Sequence, residues 1–82
     1  MEFARVKAGH DKNRIYLIAE EEPEYVYLVN GTTRTTDKPK KKNKKHIQRI
    51  KRIPPEAAAC MRENVPQEQR IRKAVKVMER IL

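Results

Sequence analysis

The chain has little of what usually staples or equips a small protein. Among its 82 residues there is one cysteine, two glycines, four aromatics and no tryptophan. A lone Cys60 forms no intrachain disulfide and no cysteine-based zinc cluster, so a core must hold the fold unaided. A single unpaired thiol fits a reducing compartment. Two glycines leave no GxxxxGK[ST] and no GxGxxG, which excludes a nucleotide enzyme built on a Gly-rich phosphate loop. With only Phe3, Tyr16, Tyr25 and Tyr27, reading of unpaired bases by stacking is disfavoured against recognition of backbone and shape. The amino end has no apolar run of signal-peptide length, and no segment approaches the roughly 20 apolar residues that span a bilayer. An interfacial helix with an aromatic-rich apolar face is missing too. The expectation is one small soluble cytoplasmic domain with no membrane attachment.

What is abundant is positive charge, and it is local. Residues 38–52, KPKKKNKKHIQRIKR, hold nine of the 20 Lys and Arg and no Asp or Glu. The other 11 basic residues balance the 11 acidic ones, so the formal charge of +9 resides in this stretch. A composition bias would spread the excess. Dense lysine in one place suits a polyanion, because each neutralised phosphate releases condensed counterions. The plainer reading is a solvated basic loop. The run is internal, however, with patterned sequence on both sides.

Residues 2–7 alternate weakly and read as a short first strand. AGHDKN, residues 8–13, is a turn in which Gly9, Asp11 and Asn13 are the shaping residues, and Asn13 tolerates a left-handed backbone as Gly would. Residues 14–20, RIYLIAE, are β-branched and aromatic and read as a strand. The acidic cluster at residues 20–24 breaks it, as an exposed loop facing away from any polyanion. EYVYLV, residues 24–29, is the next strand. Asn30-Gly31 is a strong hairpin signal, with TTRTT, residues 32–36, as the returning strand and Arg34 toward solvent. The lysine run is read as an extended loop over residues 38–45. Ile47, Ile50 and Ile53 sit three apart, but Pro54-Pro55 stops a helix early, so residues 47–53 are read as a closing strand. Short strands with tight turns indicate a small antiparallel barrel. Residues 56–64 are Ala-rich and helix-prone. Residues 67–82 carry an apolar stripe of Ile71, Ala74, Val75, Met78 and Leu82 at helical spacing. The stripe suits a helix packed on the barrel better than a partner-binding helix. The domain reading is a barrel over residues 1–53 and a helical appendage packed on it over residues 54–82.

Catalytic and metal readings are weak. His10-Asp11-Lys12 has no nucleophile beside it. His10 and His46 are the only histidines, too few for a metal set without cysteines or spaced carboxylates. No metal, cofactor or small-molecule substrate is expected, and the chain is not expected to be an enzyme.

Taken together, RVKAGHDKNRIYLIAE and EYVYLVNGTTRTTDKPKKKNKKHIQ resemble the KOW-domain RNA-binding proteins of bacteria, relatives of the KOW-type large-subunit ribosomal proteins of archaea and eukaryotes. The family pattern is a strand, A-G-x-D-K-G, a strand, a YVxLxxG hairpin and a Lys-rich loop ending in K-H-[LI]-Q. Here these blocks are residues 8–13, with Asn13 where the family usually has Gly, and residues 38–48. Residues 71–75, IRKAV, are similar to the family's I-R-K-A-L end. The resemblance implies an SH3-like barrel of about five strands, mainly β with C-terminal helices, that binds RNA, above all ribosomal RNA on the ribosome. Lys40, Lys41, Lys42, Lys44 and Lys45, with Lys38, would contact phosphates, and Lys12, Arg14, Arg34 and His46 would position the barrel. The rival reading is a protein-interaction module of the transcription or translation machinery, using the barrel or the C-terminal helix to hold a protein partner.

Overall fold

Two segments with aliphatic and aromatic side chains at consecutive positions, residues 15–18 and 25–29, form the centre of a sheet buried on both faces. The computed structural model describes residues 1–82. Five strands, β1 (Phe3–Val6), β2 (Ile15–Glu21), β3 (Tyr25–Val29), β4 (Lys40–Asn43) and β5 (Ile47–Ile50), pair antiparallel in the order β4-β3-β2-β1-β5. Two helices follow, α1 (Pro55–Cys60) and α2 (Gln67–Ile81). The fold is mainly β with C-terminal helices, as the sequence pattern indicates.

The sheet is rolled. β4 and β5 are its two edges, yet only the 3-10 turn Lys44–His46 joins them. At about 4.8 Å per strand spacing, flat edges would lie roughly 19 Å apart, whereas three 3-10 residues rise about 6 Å. Contacts between non-neighbouring strands show the curl. Glu21 of β2 takes Arg49 of β5 at 2.6 Å and Lys44 of the 3-10 turn at 2.7 Å. A slip in β2–β3 pairing between Ile18 and Glu20 adds local twist.

Alternation along the strands then builds two cores. Ala4, Val6, Tyr16, Val26, Leu28 and Ile47 fill the barrel. Phe3, Ile15, Leu17 and Val29 point outward and are covered by Ala57 of α1 and by Ile71, Ala74, Val75, Val77 and Met78 of α2. The apolar stripe is therefore spent on the barrel from Ile71 to Met78, whereas Leu82, its last expected member, stays exposed beyond the end of α2. Pro55 occupies the first turn of α1, where its missing N–H costs nothing. Half-buried Cys60 packs against the same core. No helix is long and apolar enough to cross a membrane.

The structure corrects the sequence reading at three places. Residues 32–36 are turns, not a strand. Asn30 closes a local knot instead: its Oδ1 accepts from the Thr32 and Arg34 amides at 3.0 and 2.9 Å. Gly31, at φ +80°, then lies so close to α2 that a Cβ would sit 2.3 Å from the Glu68 carbonyl oxygen. Thr36 donates its amide to the Glu68 carboxylate at 3.1 Å. The chain is drawn along the helix rather than doubled back, and β3 finds its partner ten residues later. Second, the expected Lys-rich loop over residues 38–45 is ordered: β4 occupies Lys40–Asn43 and the 3-10 turn follows. Its register is Tyr27 opposite Lys41 and Leu28 opposite Lys40. Charge on an edge strand also blunts pairing with other chains. Third, the acidic stretch is not turned away from the lysines, since β2 runs on to Glu21 and Glu21 holds two cations of the basic run.

Candidate nucleic-acid interface

The turn between β1 and β2 is closed by main-chain bonds. The Asn13 amide donates to the Val6 carbonyl at 2.7 Å and the Val6 amide to the Arg14 carbonyl at 3.0 Å. Within it, Gly9 has φ +91° and Asn13 φ +74°, so both shaping positions adopt the left-handed region and Asn13 serves where a glycine is commonest. His10 and Lys12 are left exposed at the tip.

β4 lies beside this turn. Opposed residues of paired strands share a face. Lys40 and Lys42, opposite Leu28 and Val26, therefore belong to the inner face at the barrel rim. There the Lys40 ammonium pairs with the Asp11 carboxylate. The Lys42 ammonium lies 3.5 Å from where a Gly9 Cβ would stand. Lys41 belongs to the outer face and covers the Tyr25 ring at 4.3 Å, a cation–π contact. Asn43 caps the 3-10 turn by accepting the Lys45 amide at 2.9 Å, which presents Lys45 and His46 to solvent. The His46 carbonyl accepts from Lys7 at 2.8 Å, fixing the turn against the end of β1.

The expected site residues thus divide into two kinds. Lys12, Lys41, Lys42, Lys45 and His46 lie around the turn, β4 and the 3-10 segment without a carboxylate partner. Lys40 and Lys44 are in the same place but are tied to Asp11 and Glu21. Arg14 is drawn off to α2, where its Nε meets Glu79 at 3.0 Å. Arg34 and Lys38 are exposed on the loop that docks along α2. Sequence reasoning missed two participants. Tyr25 supports Lys41, and the YVY spacing that puts Tyr25 and Tyr27 on one face was its signal. Arg49, held by Glu2 at 3.2 Å and Glu21 at 2.6 Å, buttresses the barrel end.

The ion pairs set the local protonation. Lys44, then Arg49, hold the Glu21 carboxyl below the usual carboxylate range, and Glu21 in turn raises Arg49. The Glu22 carboxylate, accepting the Tyr27 hydroxyl, pushes that phenol up. The Thr35 hydroxyl lowers Asp37. No three His, Cys, Asp or Glu side chains gather as a metal ion requires. The arrangement gathers positive charge along one edge strand and the 3-10 turn that follows it.

Compared with models of protein families and with curated proteins, the chain matches none.

Proposed function

We propose that the protein is a non-enzymatic cytoplasmic RNA-binding protein that lies along the backbone of ribosomal RNA, as the resemblance to KOW-domain proteins implies. One observation carries the reading. Lys41, Lys42 and Lys45 have no carboxylate partner, and a paired strand and a capped 3-10 turn hold them in place. A backbone already held in place loses less freedom on meeting phosphates than a floppy tail would. In this reading these three lysines set affinity, Lys12 and His46 position the turn, and Lys40 and Lys44 maintain the scaffold. Arg34 and Lys38 extend the contact at its edge, and Arg14 serves the fold.

The test is salt-dependent binding to a ribosomal RNA fragment, paired with crosslinking in cells and sequencing of the attached RNA. If roughly six phosphates are neutralised on a duplex, affinity falls about a thousandfold between 50 and 200 mM salt. A flat salt response, or crosslinks to protein alone, sinks the proposal. The second reading, a protein-interaction module, has one feature in its favour. An apolar groove of about 330 Å³ lies between β2 and α2, lined by Leu17, Ile18, Val29, Met61 and Ile71 among others. In that case K41Q/K42Q/K45Q leaves partner binding intact.

A further inference from the structure

The largest groove on the molecule runs beside β5 and past its C-terminal end. It encloses about 510 Å³ and is lined by Arg5, Gln48, Arg49, Ile50, Lys51, Arg52 and Leu82. Four of these side chains are cations and none is a carboxylic acid. Arg49 is already engaged by Glu2 and Glu21. Arg5, Lys51 and Arg52 have no ion pair. Three unneutralised cations around one concavity repel each other, and a bound anion relieves that repulsion.

The groove shares no residue with the lysine margin. β5 opposes Ile47 to Val6 at the turn end and Ile50 to Phe3 at the other. Arg5 and Gln48 begin the groove one residue from the turn end, and Lys51 and Arg52 continue it past Ile50, so the two surfaces adjoin along β5. The protein therefore presents two adjoining sets of cations along one barrel.

The aromatic side chains bear on which form of RNA fits. Phe3 and Tyr16 are buried. Lys41 covers the Tyr25 ring, and the Tyr27 hydroxyl is tied to Glu22. At most the Tyr27 ring is left free, whereas binders of single strands stack successive bases on several available rings. Duplex RNA is instead held by shape and by phosphate contacts on both strands.

We propose that the Arg5–Lys51–Arg52 groove is a second phosphate-binding site that takes the opposite strand of an RNA duplex, making the protein a duplex clamp. The inference rests on the RNA-backbone reading above and adds the substrate form.

The experiment measures binding of one short RNA, as duplex and as single strand, against salt. The proteins are the wild type, R5Q/K51Q/R52Q and K41Q/K42Q/K45Q, with circular dichroism melting as the folding control. Because Arg5 is half-buried in β1, K51Q/R52Q is measured as well; both of its positions are exposed and lie outside the strands. The expected result is a wild-type preference for duplex. The groove triple variant should make the log–log salt slope on duplex shallower by about two to three, and K51Q/R52Q by about two. Both should leave the single-strand slope near that of the wild type. A groove variant with the wild-type duplex slope overturns the clamp, while a loss confined to K41Q/K42Q/K45Q leaves the RNA-binding proposal standing. Loss in the groove variants with none in K41Q/K42Q/K45Q supports the groove and removes the lysine margin as the main site. No wild-type affinity for either RNA removes both.

Discussion

The carboxylate of Asp11 and the ammonium of Lys40, 29 residues apart in the chain, meet across the barrel rim. The pair fastens the β1–β2 turn to the edge strand β4, although β4 and β1 are not neighbours in the sheet. Both side chains are about three-quarters covered. A double-mutant cycle with D11N and K40Q, followed by urea unfolding, should give a coupling of about 0.5–1 kcal/mol. Additive effects of the two substitutions would mean that the rim is not closed by this contact.

Glu21 makes stability depend on acid. Its carboxyl titrates below the ordinary range in the folded protein because Lys44 and Arg49 stabilise the charged form. A depressed folded value means that the contribution is complete above the unfolded value and disappears as pH falls through the folded one. Urea midpoints should therefore decline on acidification from about pH 6 to about pH 3, and E21Q should flatten part of that decline. A wild-type curve that matches E21Q at every pH refutes the role given to Glu21.

The two glycines should respond differently to alanine. At Gly31 a Cβ meets the Glu68 carbonyl and the Arg72 amide at 2.3 and 2.6 Å, both main-chain atoms. At Gly9 it meets only the mobile end of Lys42. Both carry the cost of positive φ, about 1 kcal/mol, but G31A adds overpacking of about 1–3 kcal/mol. Chemical denaturation should rank G31A as clearly less stable than G9A, and the reverse order would contradict the docking of residues 30–36 on α2.

Lysines of the basic run should separate by role. K40Q and K44Q each break an ion pair and should lower the melting temperature with little change in the salt slope for RNA. K41Q, K42Q and K45Q should each take about 0.9 from that slope and leave melting nearly unchanged. Equal slopes for all five variants would erase the distinction between scaffold and contact lysines.

The C-terminal helix should behave as part of the fold. Met78 and Ile71 are almost fully buried against the outer face of the sheet. M78A or I71A should cost about 2–5 kcal/mol and unfold strands and helices in one transition. A variant that loses helical signal while the sheet stays intact would make α2 a detachable arm.

Much of the architecture was legible because local preference and burial agree. RIYLIAE and EYVYLV are β-prone and sit at the sheet centre, and the Ile71-to-Met78 stripe faces the core. AGHDKN was legible as a turn because Gly9 and Asn13 are residues that adopt positive φ cheaply. Residues 32–36 and 40–43 were not legible, for a shared reason. Threonines favour strands, but the close approach of Gly31 to α2 leads them elsewhere, and that contact lies 37 and more residues away in the chain. Four residues of Lys and Asn carry no strand signal; they pair because β3 offers an open edge and because alternate ammonium groups escape past the rim. The candidate site was legible as a charge density. Which lysines are neutralised depends on where Asp11 and Glu21 arrive in space, and no spacing in the sequence encodes that.

The three residues Lys44–His46 are the only covalent stitch between the two margins of the sheet. So short a stitch leaves no slack, and the girth of the molecule follows from it. A flexible insert of several residues at this seam would let the margins part and admit water to Val26 and Leu28, even with every lysine still in place.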